Sequence, residues 1–163
     1  MKSILGVGLA LLALAAPGYA QGKTSPALDK LLAEFVAAYN AKDAARVSSF
    51  YAEDGVLMPP DAPMTRGRGN IEAVFKRQFE QRGVLKLSPL DSEISGDRAF
   101  AAGTFTVTIS GGVAVPTRLR PPEIGVGTEY QVFAAKYLTV FKRVQDGWKI
   151  AYDMQNADQP PPK

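Results

Sequence analysis

The chain of 163 residues has no cysteine and no histidine. These absences exclude a disulfide framework, a Ser-His-Asp triad, a Cys-His nucleophile and any zinc or haem site ligated through Cys or His. Proton transfer, if there is any, falls to a carboxylate, a tyrosine, a lysine or water. Concentrated charge of one sign is scarce too, since 19 Lys plus Arg are interspersed with 16 Asp plus Glu. Apart from Arg66 and Arg68, and Lys76, Arg77 and Arg82 on one expected helix, no basic stripe forms. Those charges read as a solvated face, and nucleic acid is not an expected partner. No cofactor is expected.

The longest hydrophobic run is N-terminal, from Ile4 to Ala16, after Lys2 and before Pro17-Gly18-Tyr19-Ala20. It is short for a membrane span, and small residues at positions 18 and 20 suit cleavage after Ala20. Residues 1–20 therefore read as a secretory signal peptide, with a short membrane anchor as the alternative. Without a cysteine to acylate, a lipoprotein is excluded. The expected location is periplasmic or secreted, with no stable membrane span after cleavage. The part from Gln21 onward holds 18 basic and 16 acidic residues and is long enough for one domain with its own core, too short for two. An exported chain without disulfides relies on that core alone.

Along the mature chain, residues 21–27 read as a flexible start. Ser25-Pro26 is an N-cap followed by proline at the first helical position, and Leu28, Leu31, Leu32, Phe35, Val36 and Tyr39 recur at helical spacing. After Asn40, Asp43 is placed to cap a short helix through Phe50 and Tyr51. Ala52-Glu53-Asp54-Gly55 then reads as a turn into a strand Val56-Leu57-Met58, stopped by Pro59, Pro60 and Pro63. A third helix carries Ile71, Val74, Phe75 and Phe79 and closes at Gly83. Gly67-x-Gly69 lacks the Lys-Ser/Thr of a phosphate loop.

From Val84 the period changes to two. Val84–Ser95 is a strand interrupted by Pro89, and Arg98–Ile109 a cleaner one with Phe105, Val107 and Ile109 on one face. The segment 111–127 reads as a long loop. A closing hairpin follows, with Tyr137 starting one strand, a two-residue turn at Asp146-Gly147, and Trp148, Ile150 and Tyr152 alternating with Lys149, Ala151 and Asp153. Residues 157–163 form a proline-rich tail.

This order resembles the nuclear-transport-factor-2-like α+β cone: three helices packed on a strongly curved, mainly antiparallel sheet with a pocket. The residues carrying the likeness are Asp43 with Phe50-Tyr51-Ala52-Glu53-Asp54-Gly55, Pro59-Pro60, Gly67-Arg68 ahead of Ile71, Tyr137 to Lys142, and Gly147-Trp148-Lys149-Ile150 to Asp153-Met154-Gln155-Asn156. Together they resemble the SnoaL-like, ketosteroid-isomerase-like branch over residues 28–156, within a group of exported bacterial domains of unknown function. The resemblance implies an apolar pocket open at one end and a homodimer through the outer sheet face. It does not imply one reaction, since the family spans isomerases, cyclases, dehydratases and non-enzymatic binding domains. The isomerase general base would fall near Pro59 and its helix-one tyrosine near Phe35, so that catalytic pair is missing.

Three roles follow as expectations. The first is binding of a small apolar or aromatic molecule in a pocket lined by Phe35, Tyr39, Phe50, Met58, Phe75, Phe79, Phe105, Tyr137 and Asn156. The second is acid–base catalysis of isomerase, cyclase or dehydratase type by Asp153 or a tyrosine such as Tyr137, since desolvation would raise a carboxyl facing an apolar cavity. The third is a dimeric interaction domain with a filled cone. Strict alternation sets Asp153 opposite Ile150, and a structural alternative pairs it with Arg66 or Arg68. Glu53 and Asp54 read as a solvated pair ahead of a turn, and no metal site is expected.

Overall fold

The computed structural model describes residues 22–60, 62–81, 83–110 and 130–158. The expected signal peptide, the 111–127 loop and the last five residues of the tail lie outside these. The described residues form the expected α+β cone. Its elements are α1 (Pro26–Asn40), α2 (Ala44–Ser49), β1 (Tyr51–Met58), β2 (Thr65–Arg66), α3 (Arg68–Gln78) with a closing 3₁₀ turn Phe79–Gln81, β3 (Val84–Ser95), β4 (Arg98–Ser110), β5 (Tyr130–Val144) and β6 (Gly147–Ala157). The strands make one sheet in the order β2-β1-β6-β5-β4-β3, antiparallel except where β1 runs parallel to β6. Among the described residues, no helix is long and apolar enough to cross a membrane.

Helix α1 forms where its apolar period predicts, and Leu28, Leu32, Phe35 and Tyr39 bury their side chains against the sheet. Ser25 sits at the N-cap, but its side chain does not cap; its N–H donates instead to Ser92 Oγ at 2.7 Å, tying the helix start to β3. The helix ends in a Schellman arrangement: Lys42 N–H donates to the Tyr39 carbonyl and Asp43 N–H to the Ala38 carbonyl. Lys42 holds the left-handed position with φ 61°, which glycine normally takes. Asn40 then clamps α1 to β3, its Nδ2 donating to the Leu85 carbonyl at 3.0 Å and its Oδ1 accepting from Leu85 N at 2.8 Å.

Asp43 caps α2 by accepting from Arg46 N at 2.8 Å. The helix stops earlier than expected, at Ser49, and Tyr51 already belongs to β1. The residues read as a turn, Ala52 to Gly55, are an excursion inside that strand: Tyr51 pairs with Ile150 and Val56 with Tyr152. Gly55 fits because a Cβ there would lie 3.0 Å from both the Ala52 and Ile150 carbonyl oxygens.

Two more irregularities curve the sheet. Register shifts between Pro89 and Asp91 on β3, where the proline predicts a break. It shifts again in the β5–β6 ladder, where Phe141 faces Ile150 but Val140 faces Tyr152, leaving Ala151 as an extra residue. The closing turn sits one residue earlier than expected: Val144 pairs with Gly147 around Gln145-Asp146, and Gly147 takes φ 107°. Strand β5 begins at Tyr130, so Tyr137 lies mid-strand rather than at its start. Pro26 and Ala27 belong to α1, and Ala157 pairs with Ala135 at the end of β6 rather than opening a tail.

Candidate functional site

The extra residue at Ala151 decides the site. Two residues apart in sequence, Ile150 and Tyr152 fall on opposite faces, with Ile150 2% exposed and Tyr152 48%. The alternation resumes inverted, so Asp153 shares the inner face with Ile150 and is buried at 5% exposure. That corrects the expected opposition of these two residues. From Asp153 and Tyr137, a period of two also brings Gln155 and Thr139 to the inner face, and the register pairs Tyr137 with Gln155 and Thr139 with Asp153.

These residues wall a cavity with about 540 Å³ of empty space, counting its open mouth. Helix α1 contributes Leu32, Phe35 and Tyr39, α3 contributes Phe75 and Gln78, β3 and β4 contribute Leu85, Leu87, Phe105 and Val107, and β5 and β6 contribute Tyr137, Thr139, Ile150, Asp153 and Gln155. Of the residues expected there, Phe35, Tyr39, Phe75, Phe105 and Tyr137 come together. Phe50 and Phe79 lie behind the wall, in edge-to-face contact with Phe35 at 5.7 Å and with Tyr39 at 4.9 Å between ring centroids. Met58 registers against Met154 and Asn156 is exposed, so neither lines the cavity.

Asp153 is held by three neutral donors. Tyr51 Oη donates to Oδ2 at 2.7 Å, Gln155 Nε2 donates to the same oxygen at 3.3 Å, and Thr139 Oγ1 donates to Oδ1 at 3.1 Å. Burial pushes the Asp153 carboxyl above its ordinary value, while the three hydrogen bonds pull it down. Tyr51, wholly buried beside this charge, is pushed well above the usual phenol value by burial first and by Asp153 second. Each carboxylate oxygen has two lone-pair sites. Oδ2 fills both, and Oδ1 keeps one.

Arg66 and Arg68 do not pair with Asp153. Arg68 pairs with Glu53 at 2.6 Å and donates to the Tyr51 carbonyl at 3.0 Å, while Lys142 reaches Asp54 at 2.5 Å. The Glu53 and Asp54 carboxylates are thus each held by a cation, and Lys142 keeps Asp54 below its usual value. Among the described residues, no group of three or more His, Cys, Asp or Glu is placed to hold a metal ion.

Tyr51 was legible in the sequence only as part of a helix end, and its role as a donor to Asp153 appears only once β1 begins there. Thr139 and Gln155 were reachable by counting two along the strands from Tyr137 and Asp153.

No curated protein matches the chain. Solved structures do. A ketosteroid isomerase-like protein from Erwinia carotovora atroseptica superposes with a TM-score of 0.63 at 21% identity, over 82% of this chain and 95% of that one. An NTF2-like protein with a cystatin-like fold from Novosphingobium aromaticivorans gives 0.65 at 19% identity, over 83% and 82%. An NTF2-like family member from Streptomyces avermitilis, named as a candidate dehydratase, gives 0.64 at 18% identity, over 82% and 96%. At these identities the likeness establishes the fold. The SnoaL-like domain model matches residues 32–152, from the middle of α1 to the outer-facing Tyr152, and the chain therefore belongs to the SnoaL-like domain family.

Proposed function

We propose that the cavity binds a small, largely apolar molecule and that Asp153 exchanges a proton with it, in chemistry of the isomerase, cyclase or dehydratase class. One observation carries this reading: a buried carboxylate in a wall that, among the described residues, is otherwise uncharged. A site for hydrophobic binding alone gains nothing from a desolvated carboxylate, which costs free energy to bury. A general base gains from it, because desolvation lifts the carboxyl toward the working pH. The spare lone pair on Oδ1 is the proton acceptor. Pro59 and Phe35 supply no such group, so the base lies on β6 rather than where the isomerase pattern places it.

The test is solvent deuterium exchange into 1-tetralone, an apolar ketone with exchangeable protons at C2, followed by NMR. The wild-type protein is expected to accelerate exchange over buffer, and Asp153→Asn to remove the acceleration. Unchanged exchange in that variant would rule out Asp153 as the base. The second reading is binding without turnover, favoured by the three donors that already satisfy much of the carboxylate.

Two further elements complete the proposal. Leu138 pairs with Met154 on the outer sheet face, next to the Val140–Tyr152 pair, and Leu138, Met154 and Tyr152 are 38%, 46% and 48% exposed. This contiguous apolar strip supports a homodimer through the sheet. Leu138→Lys with Met154→Lys is expected to shift sedimentation velocity to the monomer; a wild-type protein that is already monomeric at high concentration refutes it. The N-terminal run supports export and cleavage after Ala20, which N-terminal sequencing of the exported protein checks.

A further inference from the structure

Tyr137 Oη is buried and has no hydrogen-bond partner among the described residues. A buried hydroxyl left in that state costs about 1–3 kcal/mol, so its retention in a cavity wall calls for an explanation. Its surroundings hold it in place. Tyr137 pairs with Gly103 across the β4–β5 ladder, and a Cβ at Gly103 would lie 2.9 Å from both Tyr137 Oη and Cε1. It would also collide with the Ser88 carbonyl oxygen. The ring therefore lies across bare β4 backbone, on a seat that only glycine provides, and its hydroxyl is positioned before any ligand arrives.

The charges around the cavity complete the picture. Among the described residues, no Lys or Arg lines it, and Asp153 is the one formally charged side chain on its wall. Burial first, then the nearby carboxylates Asp153 and Asp29, push the Tyr137 phenol up to about 12. It therefore stays protonated and able to donate through the physiological range. Asp153 already receives three hydrogen bonds, so its charge is met by dipoles and does not call for a ligand cation. Among the described lining residues, the polar atom that is both fully buried and without a partner is the Tyr137 hydroxyl, whose natural complement is an oxygen acceptor.

We infer that Tyr137, seated on Gly103, is the oxygen anchor of the cavity, so that the site selects neutral apolar molecules bearing a carbonyl or hydroxyl oxygen and rejects the matching anions and cations. This deepens the proposed proton-transfer reading and rests on the same cavity. It assigns Tyr137 the substrate oxygen, whereas Asp153 takes the proton.

The test uses four probes on one bicyclic frame: 1-tetralone, tetralin, 1,2,3,4-tetrahydro-1-naphthoate and 1-aminotetralin as its ammonium. Their affinities for the wild-type protein and for Tyr137→Phe are measured by isothermal titration calorimetry at neutral pH. The ketone is expected to bind most tightly, with the anion at least about 10-fold weaker because it would share the cavity with Asp153. Tyr137→Phe keeps the ring and its packing, and is expected to lower ketone affinity about 3- to 10-fold, as for one lost hydrogen bond. Tetralin, which has no oxygen, should be unaffected by that change.

Equal ketone affinity in Tyr137→Phe, or an anion or ammonium bound as tightly as the ketone, overturns the inference. So does a wild-type protein that binds none of the four, which removes the ligand pocket as well. The two readings fail separately. Asp153→Asn with undiminished deuterium exchange, alongside intact dependence on Tyr137, sinks the proton-transfer reading and leaves the anchor standing.

Discussion

Replacing Asp153 by Ala and by Asn separates the cost of losing an acceptor from the cost of burying a charge. In Asp153→Ala, the Tyr51 hydroxyl, on a side chain with 0% exposure, and the Thr139 hydroxyl both lose their acceptor. At about 1–3 kcal/mol for each buried orphan, the pair amounts to about 2–6 kcal/mol, before any cavity contribution. In Asp153→Asn, the remaining oxygen still accepts from the hydroxyl facing it, and the other hydroxyl can turn to accept from the new amide NH2. The lost charge assistance is offset by relief of desolvation, so the Asn variant is expected within about 1 kcal/mol of wild type at pH 7.

The pH dependence is the sharper part. The folded-state carboxyl is raised above its ordinary value of 3.8 by burial, so the native protein holds the proton more tightly than the unfolded chain does. Its contribution is therefore fully present below the unfolded value and is lost as pH rises through the folded one. Wild-type stability measured against Asp153→Asn must increase on acidification, by at most about 1.4 kcal/mol per pH unit within that window. Urea unfolding followed by fluorescence of the single tryptophan, Trp148, between pH 7.5 and 4.5 measures the difference. A difference that shrinks on acidification would mean that the three hydrogen bonds outweigh burial. The raised carboxyl, and with it the case for a poised base, would then be wrong.

Three more outcomes follow from the same geometry. Tyr51→Phe removes the shortest bond to Asp153, and a charge-assisted bond of this kind is worth about 1.5–3 kcal/mol, measurable as a fall in urea midpoint that is partly recovered as acid protonates Asp153. Asn40→Ala releases both hydrogen bonds to Leu85 and is expected to cost about 1–3 kcal/mol, with hydrogen exchange rising first at the start of β3. Gly103→Ala forces a methyl group against Tyr137 and Ser88, and should cost about 1–3 kcal/mol in thermal unfolding; an unchanged melting temperature would mean that the ring does not need this seat.

What one residue can tell depends on the range of the interactions that place it. The apolar stripe of α1, the Asp43 cap, the break at Pro89 and the closing hairpin depend on neighbours a few positions away, and each is readable from residue spacing. Even so, residue spacing alone makes β1 too short, because Tyr51 looks like the end of a helix until β6 is there to pair with it. The same limit applies to the pocket aromatics: Phe50 and Phe79 have the composition of pocket residues, and only helix packing puts them behind the wall.

By itself the sequence determined an α+β cone without thiol or imidazole chemistry and narrowed the possible proton carriers to carboxylates, phenols, lysines and water. The tertiary structure decided which carboxylate. Asp153 faces inward because one unpaired residue, Ala151, inverts the alternation of β6 where Val140 meets Tyr152. A bulge of this kind is set by the ladders on either side of the strand, to β1 and β5, and leaves no mark on β6's own residues.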